Sequence, residues 1–140
     1  MKLESVYRHK ESVKILYNLL EERTVEQSIS HKSMPTYQEH EKFVNTKPYQ
    51  AWYLILNADI QLDDYIPVGS IYLSKQREIG IFIFNEYKGQ GYAEAACKQL
   101  IDKWPGKFLA NVNPENIPSI ELFKKLGFNQ IQVTYALNSR

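Results

Sequence analysis

A single cysteine, Cys97, stands among 140 residues, so no intrachain disulfide can form. No set of Cys and His has the spacing of a zinc site, and no metal is expected. No apolar run approaches the length that crosses a bilayer, and Met1-Lys-Leu-Glu-Ser-Val-Tyr-Arg8 contains no apolar signal region. A cytoplasmic chain with no membrane partner is the expectation. Long runs of one charge sign are missing, and the formal net charge is +1. That speaks against a general electrostatic grip on nucleic acid. Repeats, low-complexity tracts and domain-parting linkers are absent too. Residues 1–140 therefore read as one domain, long enough to bury a core.

Aromatic residues are plentiful by contrast, at 13% of the chain with ten Tyr. Core and sheet packing is their usual use, and lining a groove is the other. Residues 2–7 alternate enough for a first strand. From Glu11 to Glu22, the residues Val13, Leu16, Tyr17 and Leu20 fall at helical spacing. Thr36-Tyr-Gln-Glu39 reads as a capping box opening a short helix that runs to about Asn45. Tyr49–Leu56, Tyr65–Ser74 and Arg77–Asn85 read as an antiparallel meander, with Asn57–Asp64 as a polar turn. An amphipathic helix follows on Ala93, Ala96, Cys97, Leu100, Ile101 and Trp104, and Pro105-Gly106 ends it. That stripe makes Cys97 a core residue and not a nucleophile. Lys107–Val112 reads as a strand and Ile117–Leu126 as a helix with Asn116 as N-cap and Gly127 as C′ residue. Phe128–Leu137 reads as a last strand. A β-α-β crossover would make the strands on either side of the glycine-opened helix parallel.

The most informative stretch is Ile79–Ala96, where an apolar, β-branched run meets glycines at 89 and 91 and then a helical pattern. Strand, glycine loop and helix N-terminus together build an anion site from backbone N–H groups and the helix dipole. A P-loop string is absent. A dinucleotide fingerprint fails because Glu94 stands where its third glycine should be.

Lys88-Gly-Gln-Gly-Tyr-Ala93 resembles the acyl-CoA loop of the GNAT superfamily of N-acetyltransferases, with Lys88 where Arg or Gln is usual. Lys keeps the charge and loses the planar fork. A second segment, Asn113–Phe128, resembles the family's later motif through Asn116, Ser119, Phe123, Gly127 and Phe128. The resemblance covers residues 66–138 well and the first half by element order. It implies an α/β (α+β) fold: a mixed, mostly antiparallel central sheet of about six or seven strands with flanking helices. A splayed parallel strand pair would bind the acyl-CoA.

The resemblance further implies acetyl transfer from acetyl-CoA, a co-substrate, to a primary amine by direct attack. Backbone groups of Ile81, Phe82 and Ile83 would face the pantetheine, one N–H polarising the thioester carbonyl. Lys88, Gly89, Gln90, Gly91, Tyr92 and Ala93 would hold the pyrophosphate. Asn116 would bond the pantetheine arm, with Ser119 and Phe123 beside it. Phe123 stands where many members carry a Tyr that protonates the leaving thiolate, so that role is empty, moved or left to water. A protonated amine needs a base. Glu78 is the first candidate, and His31, between the first two helices, the second; a solvated strand-start charge and a loop histidine are the plain alternatives. His40, on a helical face with Tyr37 and Val44, is expected to be a satisfied, half-buried histidine.

The acceptor is expected to be set by residues 24–48 and by loops near Tyr53 and Tyr135. A small amine, an amino sugar for example, is the leading partner. A protein N-terminal acetyltransferase and a non-catalytic acyl-CoA-binding module are the alternatives. Oligomeric state is unreadable, and a homodimer stays open.

Overall fold

The computed structural model describes residues 1–23 and 34–140. The strands β1 (Lys2–Ser5), β2 (Ala51–Asp59), β3 (Asp64–Leu73) and β4 (Ile79–Ile83) form one antiparallel sheet in that order. The helices are α1 (Ser12–Glu22), α2 (Tyr37–Asn45), α3 (Tyr92–Lys103) and α4 (Ile117–Lys125). The capping box at Thr36 and Glu39 is formed in both directions, which fixes where α2 begins.

Strand alternation divides the core into two layers. On one face Ile55, Val68, Ile71 and Leu73 pack with Ala96, Cys97 and Leu100 of α3 and Phe123 of α4. On the other, Trp52, Leu54 and Leu56 pack with Leu16 and Leu19 of α1 and Val44 of α2. Cys97 is fully buried and free, and burial pushes its thiol up to about 12, so it stays protonated and inert. Glu94 of α3 meets Lys125 of α4 at 3.1 Å, joining these helices near the glycine loop.

Four expectations are corrected. The sheet has four strands among the described residues, against the six or seven expected. Residues 107–112 touch β4 through one parallel bridge, Glu78 to Leu109, and otherwise lack strand pairing. Residues 128–137 form no strand, although Ile131, Val133, Tyr135 and Leu137 alternate as a strand would. Alternation supplies a face, but a strand needs a hydrogen-bonded neighbour, and neither segment has a full one. The polar turn is also shorter than expected. β2 runs on to Asp59, whose carboxylate accepts from the N–H groups of Gln61 and Leu62 to close the hairpin.

Candidate active site

The bridge at Glu78 is the closed end of a gap. Leu109 donates to the Arg77 carbonyl and accepts from the Ile79 N–H, both at 2.8 Å. Arg77 clamps this end, donating from Nε to the Lys107 carbonyl at 2.9 Å and from Nη2 to that of Trp104 at 2.6 Å. Beyond it, β4 and residues 110–112 make no further ladder bonds.

That geometry sorts the backbone groups of β4. In an antiparallel strand, the N–H and C=O of one residue face the same edge, and successive residues alternate. Ile79 bonds Leu109 on the outer edge, while Phe84 donates to Val68 on the β3 side. Ile81 and Ile83 therefore present N–H and C=O groups to the gap, with no partner among the described residues. Phe82 uses its backbone in the β3 ladder, so of the three expected residues two supply main-chain groups and the third supplies a side chain.

The gap leads to the glycine loop. Gly89 (φ 78) and Gly91 (φ 89) both lie in the left-handed region, and Gly91 is the N-cap of α3. No side chain caps that helix, so the first N–H groups of α3 remain available. A Cβ at either glycine would meet nothing within 4 Å, so these glycines are required by backbone angle and the space above them is open. Lys88 and Gln90 are exposed beside them. Asn116 caps α4, its Oδ1 accepting from the Ser119 N–H at 3.3 Å, which leaves its amide NH₂ free to donate elsewhere. Phe123 is buried in the α3-side core and packs edge-on to Phe128 at 5.1 Å.

On the opposite face of the sheet lies a cavity of about 340 Å³ between α1, α2 and β2–β4. Its wall is aromatic, with Phe43, Tyr49, Trp52, Tyr72 and Phe82. The Tyr49 and Tyr72 rings stack at 3.8 Å, and Trp52 stands edge-on to Tyr49 at 4.7 Å. Burial pushes both tyrosine hydroxyls up, so they remain protonated donors. Gly80 makes this stack possible, because a methyl there would overlap the Tyr72 ring. Arg23 lies on the ring of Phe82 at 4.4 Å.

Two polar atoms of this wall are buried without a partner among the described residues: Nε2 of His40 and Nε1 of Trp52. The expectation of a satisfied, half-buried His40 is corrected. It is 6% exposed, Nε2 has no partner among the described residues, and burial holds its pKa below the usual value. Glu78 immediately precedes β4, two residues before Gly80, and its charge acts on the Tyr72 hydroxyl. His31 lies outside the described residues. Tyr53 and Tyr135 are not at the cavity. Tyr53 faces the α3 layer and accepts from Trp104 Nε1 at 3.0 Å, and Tyr135 is 91% exposed. The residues that sequence reasoning missed, Trp52 and Tyr72, sit in ordinary aromatic strand patterns. Only the neighbouring Gly80 carried a signal.

Among the described residues no cluster of three His, Cys, Asp or Glu could hold a metal, and no helix is long and apolar enough to cross a membrane.

A mixed fold whose strand edge opens beside a glycine-capped helix sets unpaired backbone groups next to an anion-binding helix start. The chain belongs to the acetyltransferase (GNAT) domain family, whose model matches residues 7–129. No curated protein matches the sequence. Solved structures share the fold at low identity. A domain from Methanocaldococcus jannaschii DSM 2661 is 20% identical with a TM-score of 0.73, covering 94% of this chain and 89% of that one. Mutant forms of the spermidine/spermine N-acetyltransferase SpeG from Vibrio cholerae are 18% identical with a TM-score of 0.70, covering 99% and 87%. A chimera of SpeG from Vibrio cholerae and hSSAT is 17% identical with a TM-score of 0.69, covering 94% and 84%.

Proposed function

We propose that residues 1–140 act as one domain that transfers an acetyl group from acetyl-CoA to a primary amine of a small acceptor. The observation that carries this reading is the unpaired outer edge of β4 at Ile81 and Ile83, placed between the glycine-capped helix and the aromatic cavity. Both halves of an acyl transfer then have a place. The backbone N–H groups of Gly89–Ala93 and the N-terminus of α3 hold the pyrophosphate, with the Lys88 ammonium beside them. The carbonyl and N–H of Ile83 and the amide of Asn116 hold the pantetheine arm.

Acetyl-CoA supplies a thioester, a carbonyl already activated toward an amine. The Ile81 N–H points at that carbonyl oxygen and stabilises the negative charge that builds on it during attack. Cavity side chains hold the acceptor with its nitrogen toward this edge. As the C–N bond forms and the C–S bond breaks, the amine loses a proton to Glu78, through a water where the distance requires one. The thiolate takes its proton from water, since Phe123 has no hydroxyl to give. No covalent enzyme intermediate is needed.

The competing reading, a module that binds acyl-CoA without turnover, draws its support from Phe123 and from Lys88. One experiment separates them. Acetyl-CoA should raise the thermal midpoint, and a panel of amino acids, amino sugars, polyamines and peptides should release CoA thiol with at least one member. Protection without thiol release from any amine would favour the binding module; no protection at all would sink both.

A further inference from the structure

We propose that the acceptor is an amine with a planar aromatic body and a carboxylate, an aromatic α-amino acid being its simplest form. This rests on the acetyl-transfer reading and names the chemical class its acceptor cavity takes.

Three features of the cavity point there. The first is shape. Tyr49 and Tyr72 are stacked parallel within 3° and Trp52 stands across Tyr49 at 80°, so the wall offers flat faces and ring edges. A planar ring fills such a space by offset or edge-on contact. The volume of about 340 Å³ suits a small molecule.

The second is charge. Arg23 lies in this wall against Phe82. Glu39 is the one carboxylate among the described lining residues, and its Oε1 is engaged by the Thr36 N–H in the capping box. That hydrogen bond holds the Glu39 carboxyl below its usual range, as a committed cap. Glu39 stays ionised there and attracts an ammonium, but a polycation would also meet Arg23, and like charges set against each other discriminate strongly. A carboxylate would instead meet a guanidinium that recognises it through paired N–H donors.

The third is the two orphaned atoms. The Trp52 N–H can only donate, so what completes it must carry an acceptor oxygen. His40 Nε2 is the opposite case: a neutral imidazole can accept from an amine N–H there. Both residues line the cavity and both atoms are buried, so a ligand satisfies them only where side-chain movement opens them to it. An amine and a carboxylate on one small aromatic molecule meet these demands together.

The test uses the full chain carrying Trp104→Phe, which leaves Trp52 as the only indole. Its fluorescence is titrated with L-phenylalanine, phenethylamine, L-alanine, glucosamine and spermidine, and CoA thiol release is followed with the same five. L-phenylalanine is expected to bind tightest and to exceed phenethylamine, which lacks the carboxylate, and L-alanine, which lacks the ring, by about tenfold or more in kcat/KM. Arg23→Gln should collapse the phenylalanine-to-phenethylamine ratio toward one without changing protection by acetyl-CoA. Tighter binding or faster turnover of spermidine or glucosamine would overturn the proposal, as would a ratio indifferent to Arg23→Gln or no binding of L-phenylalanine. Those results leave acetyl transfer standing if acetyl-CoA still protects. Loss of that protection sinks acetyl transfer instead, and the titration, which needs no turnover, still decides the acceptor class.

Discussion

The two faces of the sheet solve different problems with different materials. The proposed donor side, from the open edge of β4 to the start of α3, is made of backbone: Ile81 and Ile83 offer N–H groups, and Gly89 and Gly91 offer left-handed φ angles. The proposed acceptor side is made of side chains: Trp52, Tyr72, His40 and Arg23 offer rings, nitrogens with no partner among the described residues, and charge. A backbone site tolerates change in most side chains around it but not in its glycines. A side-chain site can be rebuilt residue by residue on the same frame, which is how one fold serves many acceptors.

The largest expected effect breaks the donor side alone. Gly91→Glu places a Cβ at φ 89 and a carboxylate where the pyrophosphate belongs. The left-handed angle costs about 1–2 kcal/mol of stability. Acetyl-CoA affinity should fall by about 100-fold (about 2.7 kcal/mol), read by titration calorimetry. An unchanged affinity would remove the glycine loop from the donor site. Next is the proton. Glu78→Gln should lower kcat by about 100-fold and alter its pH profile while acetyl-CoA still binds, as expected for loss of a general base; an unaltered profile would hand the role to another group.

A smaller change sharpens the division. Gly80→Ala drives a methyl into the Tyr72 ring and should cost about 1–3 kcal/mol by overpacking. Acceptor KM should rise by about tenfold with acetyl-CoA affinity unmoved, since the stack lies across the sheet from the glycine loop. A matching loss in acetyl-CoA affinity would show that the two sides are not separable.

The smallest effect is on stability against pH. Burial lowers the folded-state pKa of His40 below its usual 6.5. Above that value the side chain is neutral in both states and contributes no slope. As pH falls through it, the unfolded chain takes up the proton first, and stability drops until the folded-state value is passed. His40→Phe should flatten this part of the curve in urea melts recorded at pH values on either side of 6.5. A slope of the same size in the variant would assign it elsewhere.

The same contrast explains what could be read from the chain beforehand. Glycines at 89 and 91, the Asn116 cap and the Thr36–Glu39 box act locally, through angles and bonds within a few residues, so spacing exposes them. The strand at 128–137 was expected from alternation alone and is not formed, because pairing is a property of two segments. His40 was expected to be satisfied because its own helix gives no sign that Nε2 would be walled in by strands β2–β4 from elsewhere in the chain. Tyr53 and Trp52 differ by one position, and the strand's two-residue period sends one to each face. Which of them meets the aromatic cavity depends on where α1 and α2 pack, which is tertiary information.

The most direct test of a donor site built from the open edge of β4 is amide hydrogen exchange with and without acetyl-CoA. The amides of Ile81 and Ile83 should exchange quickly in the free protein and become protected when acetyl-CoA is added, together with those of Gly89–Ala93. Gly80 and Phe82, already bonded to β3, should be protected in both states. Unchanged exchange at Ile81 and Ile83 in the presence of saturating acetyl-CoA would contradict the assignment.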